Sequence, residues 1–210
     1  MRPRTGAWMV IVLTAAMAAE SSAGAQTPPP WHDGRGSKPA PKAVTRLMDI
    51  QPALDGIDLI DQNGKPVTLA QAVGTDGPVM VNFIFTTCPT ICPVMSAGFS
   101  KLNSSLGSDQ AQVRLVSISI DPEADTPAVL RDYAKKYRAG KSWLFLTGTP
   151  EASEAAQSAF GANRGDKMNH APTTYIRRSR DGAWEQLDGL SGGETLMAAY
   201  RGDNQGHRQD

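Results

Sequence analysis

The sequence predicts an α/β layer fold on a mixed central sheet, and three observations predict it. Near-continuous β-type runs at 79–85 (VMVNFIF), 113–120 (VRLVSISI) and 143–146 (WLFL) read as strands buried on both faces. Helical signals stand between and after these runs, so strands and helices alternate along the chain. The chain then closes with two β-type runs, 173–176 and 183–187, joined through Asp181-Gly182. A hairpin at the end of an alternating α/β pattern makes the sheet mixed.

Each element has its own local reason. Residues 57–60 and 66–69 flank Gln62-Asn63-Gly64-Lys65, and Asn-Gly between apolar runs is the strongest short hairpin signal. After the cysteines, apolar residues at 95, 99, 102 and 106 keep helical spacing over 94–106. Thr126 is suited to cap a helix and Pro127 to open it, which predicts a helix to about 137. Thr149-Pro150-Glu151 repeats that opening for a helix ending near 161, and a short helix over 193–200 closes the fold. No internal repeat is present.

The 210 residues carry 21 basic and 21 acidic side chains, so no large basic field exists for nucleic acid. Two cysteines exclude a disulfide-dense miniprotein and a four-cysteine zinc or iron–sulfur site. Residues 1–25 read as an export signal: Arg2 and Arg4, the apolar stretch 7–19, then Ala23-Gly24-Ala25 as a cleavage site. That stretch is shorter than the roughly 20 residues of a membrane-spanning helix. The alternative is an uncleaved anchor in the inner membrane. Residues 26–47 read as a Pro/Gly-rich linker, 48–200 as the folded domain and 201–210 as a disordered polar tail. His32 and His207 fall in polar segments and read as solvated. The exported location, periplasmic in a bacterium, places both cysteines in an oxidising compartment.

Both cysteines sit in Phe85-Thr86-Thr87-Cys88-Pro89-Thr90-Ile91-Cys92-Pro93, after a buried strand and before a helix. A thiol at a helix start has its pKa lowered by the backbone N–H groups. On one helical turn, positions i and i+4 share a face and come within disulfide range. A structural bridge there closes so short a loop that it contributes only about 2 kcal/mol. The functional readings are a redox dithiol and a metal site, and thiolate pairs select soft ions, notably Cu(I). His170, in the loop before the 173 strand, is the histidine inside the predicted fold that a return loop could bring to the thiols. Met95 and Met168 are further soft donors, Met95 being better explained by core packing.

VNFIFTTCPTICPVMS, SISIDPEADTP about thirty residues on, and His170 five residues before Tyr175 together resemble the Sco/SenC family over roughly residues 48–200. The resemblance implies a thioredoxin-like three-layer sandwich with an added N-terminal β-hairpin. It implies one copper ion per chain, as Cu(I), Cu(II) or both, held by Cys88, Cys92 and His170, with Asp121 nearby orienting the site. It also implies a metallochaperone that assists assembly of the dinuclear copper centre of cytochrome c oxidase subunit II. The partners are then a copper-accepting oxidase subunit and a thiol reductant protein, with membrane contact only through a partner or an uncleaved anchor.

The chain departs from that family at Asn169, where Asp is common, and in the basic strand segment TTYIRRSRDGAW. Pro172 stands where thioredoxins carry a cis-proline, which predicts a cis bond. The alternative function is a thiol–disulfide oxidoreductase, with Cys88 attacking and Cys92 resolving. A binding module with a redox-sensing switch is a third reading. Peroxidases resemble the fold but have a reacting cysteine without a partner four residues along.

Overall fold

Strand alternation divides the side chains of one sheet between two cores. The computed structural model describes residues 44–47, as backbone, and 51–202. The export signal, His32, most of the linker, and His207 with nearly all of the C-terminal tail lie outside the described residues. In order, the elements are β1 (Val44–Leu47), β2 (Asp58–Asp61), β3 (Pro66–Thr68), α1 (Leu69–Val73), β4 (Val79–Ile84) and α2 (Ile91–Ser105). There follow a 3-10 turn (Gly107–Ala111), β5 (Arg114–Ser119), α3 (Pro127–Lys136), β6 (Trp143–Thr147) and α4 (Pro150–Ala159). A second 3-10 turn (Lys167–Asn169), β7 (Thr173–Arg177), β8 (Glu185–Asp188) and α5 (Gly193–Arg201) complete the described residues.

The sheet order is β1-β8-β7-β4-β5-β6-β2-β3. The central β4, β5 and β6 run parallel and the flanking pairs antiparallel, so the sheet is mixed as expected. Along β4, Met80 and Ile84 face a core with Phe99 and Leu102 of α2, Leu130 of α3 and Leu196 of α5. Val79, Val81 and Phe83 face the opposite core, with Leu69 and Val73 of α1 and Ala156 of α4. Every β4 residue is buried, because helices cover both faces. The result is the three-layer arrangement, with the β2–β3 hairpin added at the β6 edge.

The hairpin and caps follow the local chemistry. Gly64 takes φ +82 and its N–H donates to the Asp61 carbonyl at 2.9 Å, closing the turn with a left-handed residue that glycine tolerates. Thr126 and Thr149 each accept the backbone N–H three residues on, with Pro127 and Pro150 in the first turn.

Four expectations are corrected. The last four residues of the segment read as linker, 44–47, form β1 and pair antiparallel with β8 from Val44↔Asp188 to Leu47↔Glu185. Leu69, read as the end of the hairpin, instead opens α1, because Thr68 and Gln71 form a reciprocal capping box. α2 starts three residues earlier than the periodicity suggests and takes in Cys92 and Pro93, the proline standing in the first turn where it breaks no hydrogen bond. The Ala171–Pro172 bond is trans, since no described peptide bond is cis. Trans is favoured by about 0.5–1 kcal/mol before proline. Here the Pro172 carbonyl also accepts the Gly189 N–H at 2.8 Å, extending the β7–β8 ladder one step beyond Thr173↔Asp188.

Candidate metal centre

The chain leaves β4 through buried Phe85 and turns at once, the Cys88 N–H donating to the Phe85 carbonyl at 3.1 Å. Thr90 precedes α2 but its side chain makes no capping hydrogen bond. The sulfur of Cys88 takes that place, accepting the Cys92 backbone N–H at 3.4 Å. Both cysteines are free and buried, Cys88 7% exposed and Cys92 fully covered.

Their environments separate them. Burial pushes the Cys88 thiol up, but the N–H groups of Cys92, Thr90 and Ile91, with the Cys92 thiol, outweigh it and hold its pKa below the ordinary value. Burial pushes Cys92 up to about 12, with the Cys88 sulfur and the Asp125 carboxylate adding to the rise. One sulfur is therefore disposed to be thiolate while its neighbour keeps its proton.

Asp125 is the residue that sequence reasoning passes over. It is fully buried, and burying a carboxylate is costly unless hydrogen bonds surround it. Its oxygens accept from the Thr86 N–H at 3.2 Å, the Thr86 hydroxyl at 2.5 Å and the Ser119 hydroxyl at 2.7 Å. Thr86 lies two residues before Cys88, so Asp125 fastens the cysteine loop to the end of β5. The available signal was the second aspartate of Asp-Pro-Glu-Ala-Asp-Thr-Pro, which lies directly before the α3 cap.

Asp121, expected near the site, follows β5 and accepts from Lys167 Nζ at 2.6 Å. Lys167 also stands 5.8 Å from the Phe85 ring centroid, a cation over an aromatic face. His170 follows the Lys167–Asn169 turn. Its ring lines a cavity of about 10 Å³ with Phe83, Arg164, Thr173 and Tyr175. Burial lowers its pKa against an opposing hydrogen bond to the Phe83 backbone, so the imidazole is neutral at pH 7, the form that binds metals. Its Nε2 is buried without a hydrogen-bond partner. Among the described residues no three His, Cys, Asp or Glu side chains stand together as a metal site. The structure thus brings the two sulfurs together and keeps His170 in its own pocket at the end of β4. Met95 is core, while Met168 is 63% exposed.

The family model described as SCO1/SenC matches residues 54–199. A Bacillus subtilis SCO1 protein homolog is 39% identical over 124 residues, 55% of this chain and 63% of that protein. Protein SenC of Rhodobacter capsulatus is 32% identical over 126 residues, 56% of this chain and 55% of that protein. The chain thus spans less than two thirds of the length of these curated relatives. Among solved structures, copper-bound ScoI of Bradyrhizobium japonicum superposes with TM-score 0.57 at 26% identity, covering 69% of this chain and 96% of that one. BsSco, described as carrying a disulfide switch and as one of the Sco family of cytochrome c oxidase assembly proteins, superposes with TM-score 0.58 at 27% identity, covering 76% of this chain and 100% of that one. The α/β sandwich, its mixed sheet, the paired cysteines at the helix start and the match across 54–199 converge on one conclusion: this chain belongs to the SCO1/SenC family.

Proposed function

We propose that the protein is a copper metallochaperone that holds one copper ion through Cys88, Cys92 and His170. On this reading it passes the ion to the dinuclear copper centre of cytochrome c oxidase subunit II. The observation that carries the reading is the pairing of two kinds of soft-metal donor at one end of β4. There the Cys88 sulfur is polarised by the Cys92 N–H, and the neutral His170 ring keeps a buried nitrogen free of hydrogen bonds. Two thiolates and one imidazole around Cu(I) leave one net negative charge and an open position for an incoming thiolate, so ligand exchange can deliver the ion. Export to the periplasm and a thiol reductant partner belong to the same proposal, because an oxidised Cys88–Cys92 pair cannot accept copper. No described helix is long and apolar enough to cross a membrane.

The test is a competition titration of the reduced protein with copper, read by the thiolate-to-Cu(II) absorption band. Cys88→Ala is expected to abolish the band and His170→Ala to weaken binding at least tenfold. A reduced protein that takes up no copper, or a His170→Ala variant that binds as tightly as the parent, overturns the reading.

The second reading, a thiol–disulfide oxidoreductase, is favoured by the split between the thiols. A lowered Cys88 and a Cys92 raised to about 12 are the attacking and resolving partners such a cycle uses. It needs no role for His170, so His170→Ala separates the two.

A further inference from the structure

If His170 is a copper ligand, something must bring its ring from its pocket to the sulfurs, and the side-chain pair holding its segment identifies what must give way. Asp121 is the fixed half of that pair. Its N–H donates to Ser119 Oγ at 3.0 Å, its carbonyl accepts from the Ala124 and Asp125 N–H groups, and Ser119 Oγ donates to buried Asp125. The other half rides on residues 166–170, whose backbone bonds are local. Met168 N–H donates to the Asp166 carboxylate, Asn169 N–H to the Asp166 carbonyl and His170 N–H to the Lys167 carbonyl. Residues 164–169 are exposed. The tie from this segment to the Asp121 platform is the Lys167 ammonium, which donates to Asp121 Oδ2 at 2.6 Å and stands 5.8 Å from the Phe85 ring centroid.

We propose that the Lys167–Asp121 ion pair is a latch that parks His170 beside Phe83 and Tyr175. Its release frees residues 166–170 to carry the imidazole to the Cys88–Cys92 pair when copper is present. This rests on the copper-ligand reading of His170. The pair suits a latch because its cationic half is open to solvent while its anionic half is fixed in the platform: the Lys167 side chain is 43% exposed and Asp121 12%. The parked ring keeps one hydrogen bond, to the Phe83 backbone, which must also break, but its Nε2 gains none there and gains a metal on arrival. Lys167 is thus a positioning residue, acting on copper through His170.

Stopped-flow mixing of the reduced full chain with Cu(II), followed by the thiolate band over increasing NaCl, tests the latch. Salt screens the solvent-facing Lys167 end of the pair, so copper uptake by the parent is expected to quicken about twofold. Lys167→Met removes the ammonium while keeping an unbranched side chain, and is expected to be fast already at low salt and insensitive to it. Lys167→Arg is expected to restore the parent's behaviour. In the His170→Ala background, Lys167→Met is expected to change nothing. Uptake by Lys167→Met at the parent's rate with the parent's salt response overturns the latch, as does slower uptake. If His170→Ala binds copper like the parent, the ligand reading has failed; if it binds weakly while Lys167→Met matches the parent, only the latch has.

Discussion

The Cys92 backbone N–H reaches back to the Cys88 sulfur at 3.4 Å, so one cysteine of the pair caps the helix that carries the other. The two thiols are thereby made unequal before any metal or partner arrives. In the metal-free reduced protein, iodoacetamide at about pH 8 is expected to modify one thiol per chain, Cys88, as shown by peptide mass mapping. As pH rises, the Cys88 thiolate fills first, its pKa lying below the ordinary value, while Cys92 stays protonated until near 12. Equal labelling of the two would contradict this asymmetry.

Asp125 holds the cysteine loop from beneath. Asp125→Ala leaves the Thr86 N–H and hydroxyl and the Ser119 hydroxyl buried without their acceptor. The expected loss is about 2–4 kcal/mol in urea unfolding of the reduced protein. Asp125→Asn keeps an acceptor oxygen and is expected to lose less. By removing the negative charge it should also lower the Cys92 pKa and speed its alkylation, a change that a packing role would not produce.

Copper binding is expected to weaken as pH falls, because the ligands must shed their protons to bind. Cys92, raised to about 12, carries its proton at neutral pH and must release it on binding. His170, its pKa lowered by burial, has no proton to lose above its ordinary value near 6.5 and begins to oppose binding only in acid. Affinities measured by competition from about pH 6 to 8 are therefore expected to rise with pH at a slope set by the thiols, one that His170→Ala leaves in place. A flat profile would mean that no thiol loses a proton on binding.

Gly98 of α2 lies against the loop before α5, where an added Cβ would stand 2.3 Å from the Ser191 carbonyl oxygen. Backbone cannot move aside as a flexible side chain can, so Gly98→Ala is expected to destabilise the fold by about 1–3 kcal/mol. Thermal unfolding checks this. An unchanged midpoint would show that the α2–loop contact yields freely.

Much of this protein was legible because its signals are local. The near-continuous β-type run in 79–85, the Thr-Pro helix openings at 126 and 149, and the Asn63-Gly64 turn each depend on residues within a few positions. β1 was not legible: the edge strand at 44–47 is recruited by β8, more than a hundred residues away, and four residues carry no mark of a distant partner. α1 could have been found from Thr68 and Gln71, whose capping box outweighs the strand-like run before it.

By itself the sequence determined the layer class, the order of the central elements and the placement of two thiols at a strand-to-helix junction, since short-range sterics and hydrogen bonding decide all three. Only the tertiary structure decided that Asp125 secures that junction, that Lys167 reaches Asp121 46 positions away, and that His170 rests beside Phe83 rather than at the sulfurs. Those relationships are made by side chains meeting across the ends of separate strands. Such meetings depend on how the whole sheet is ordered, which no local pattern encodes.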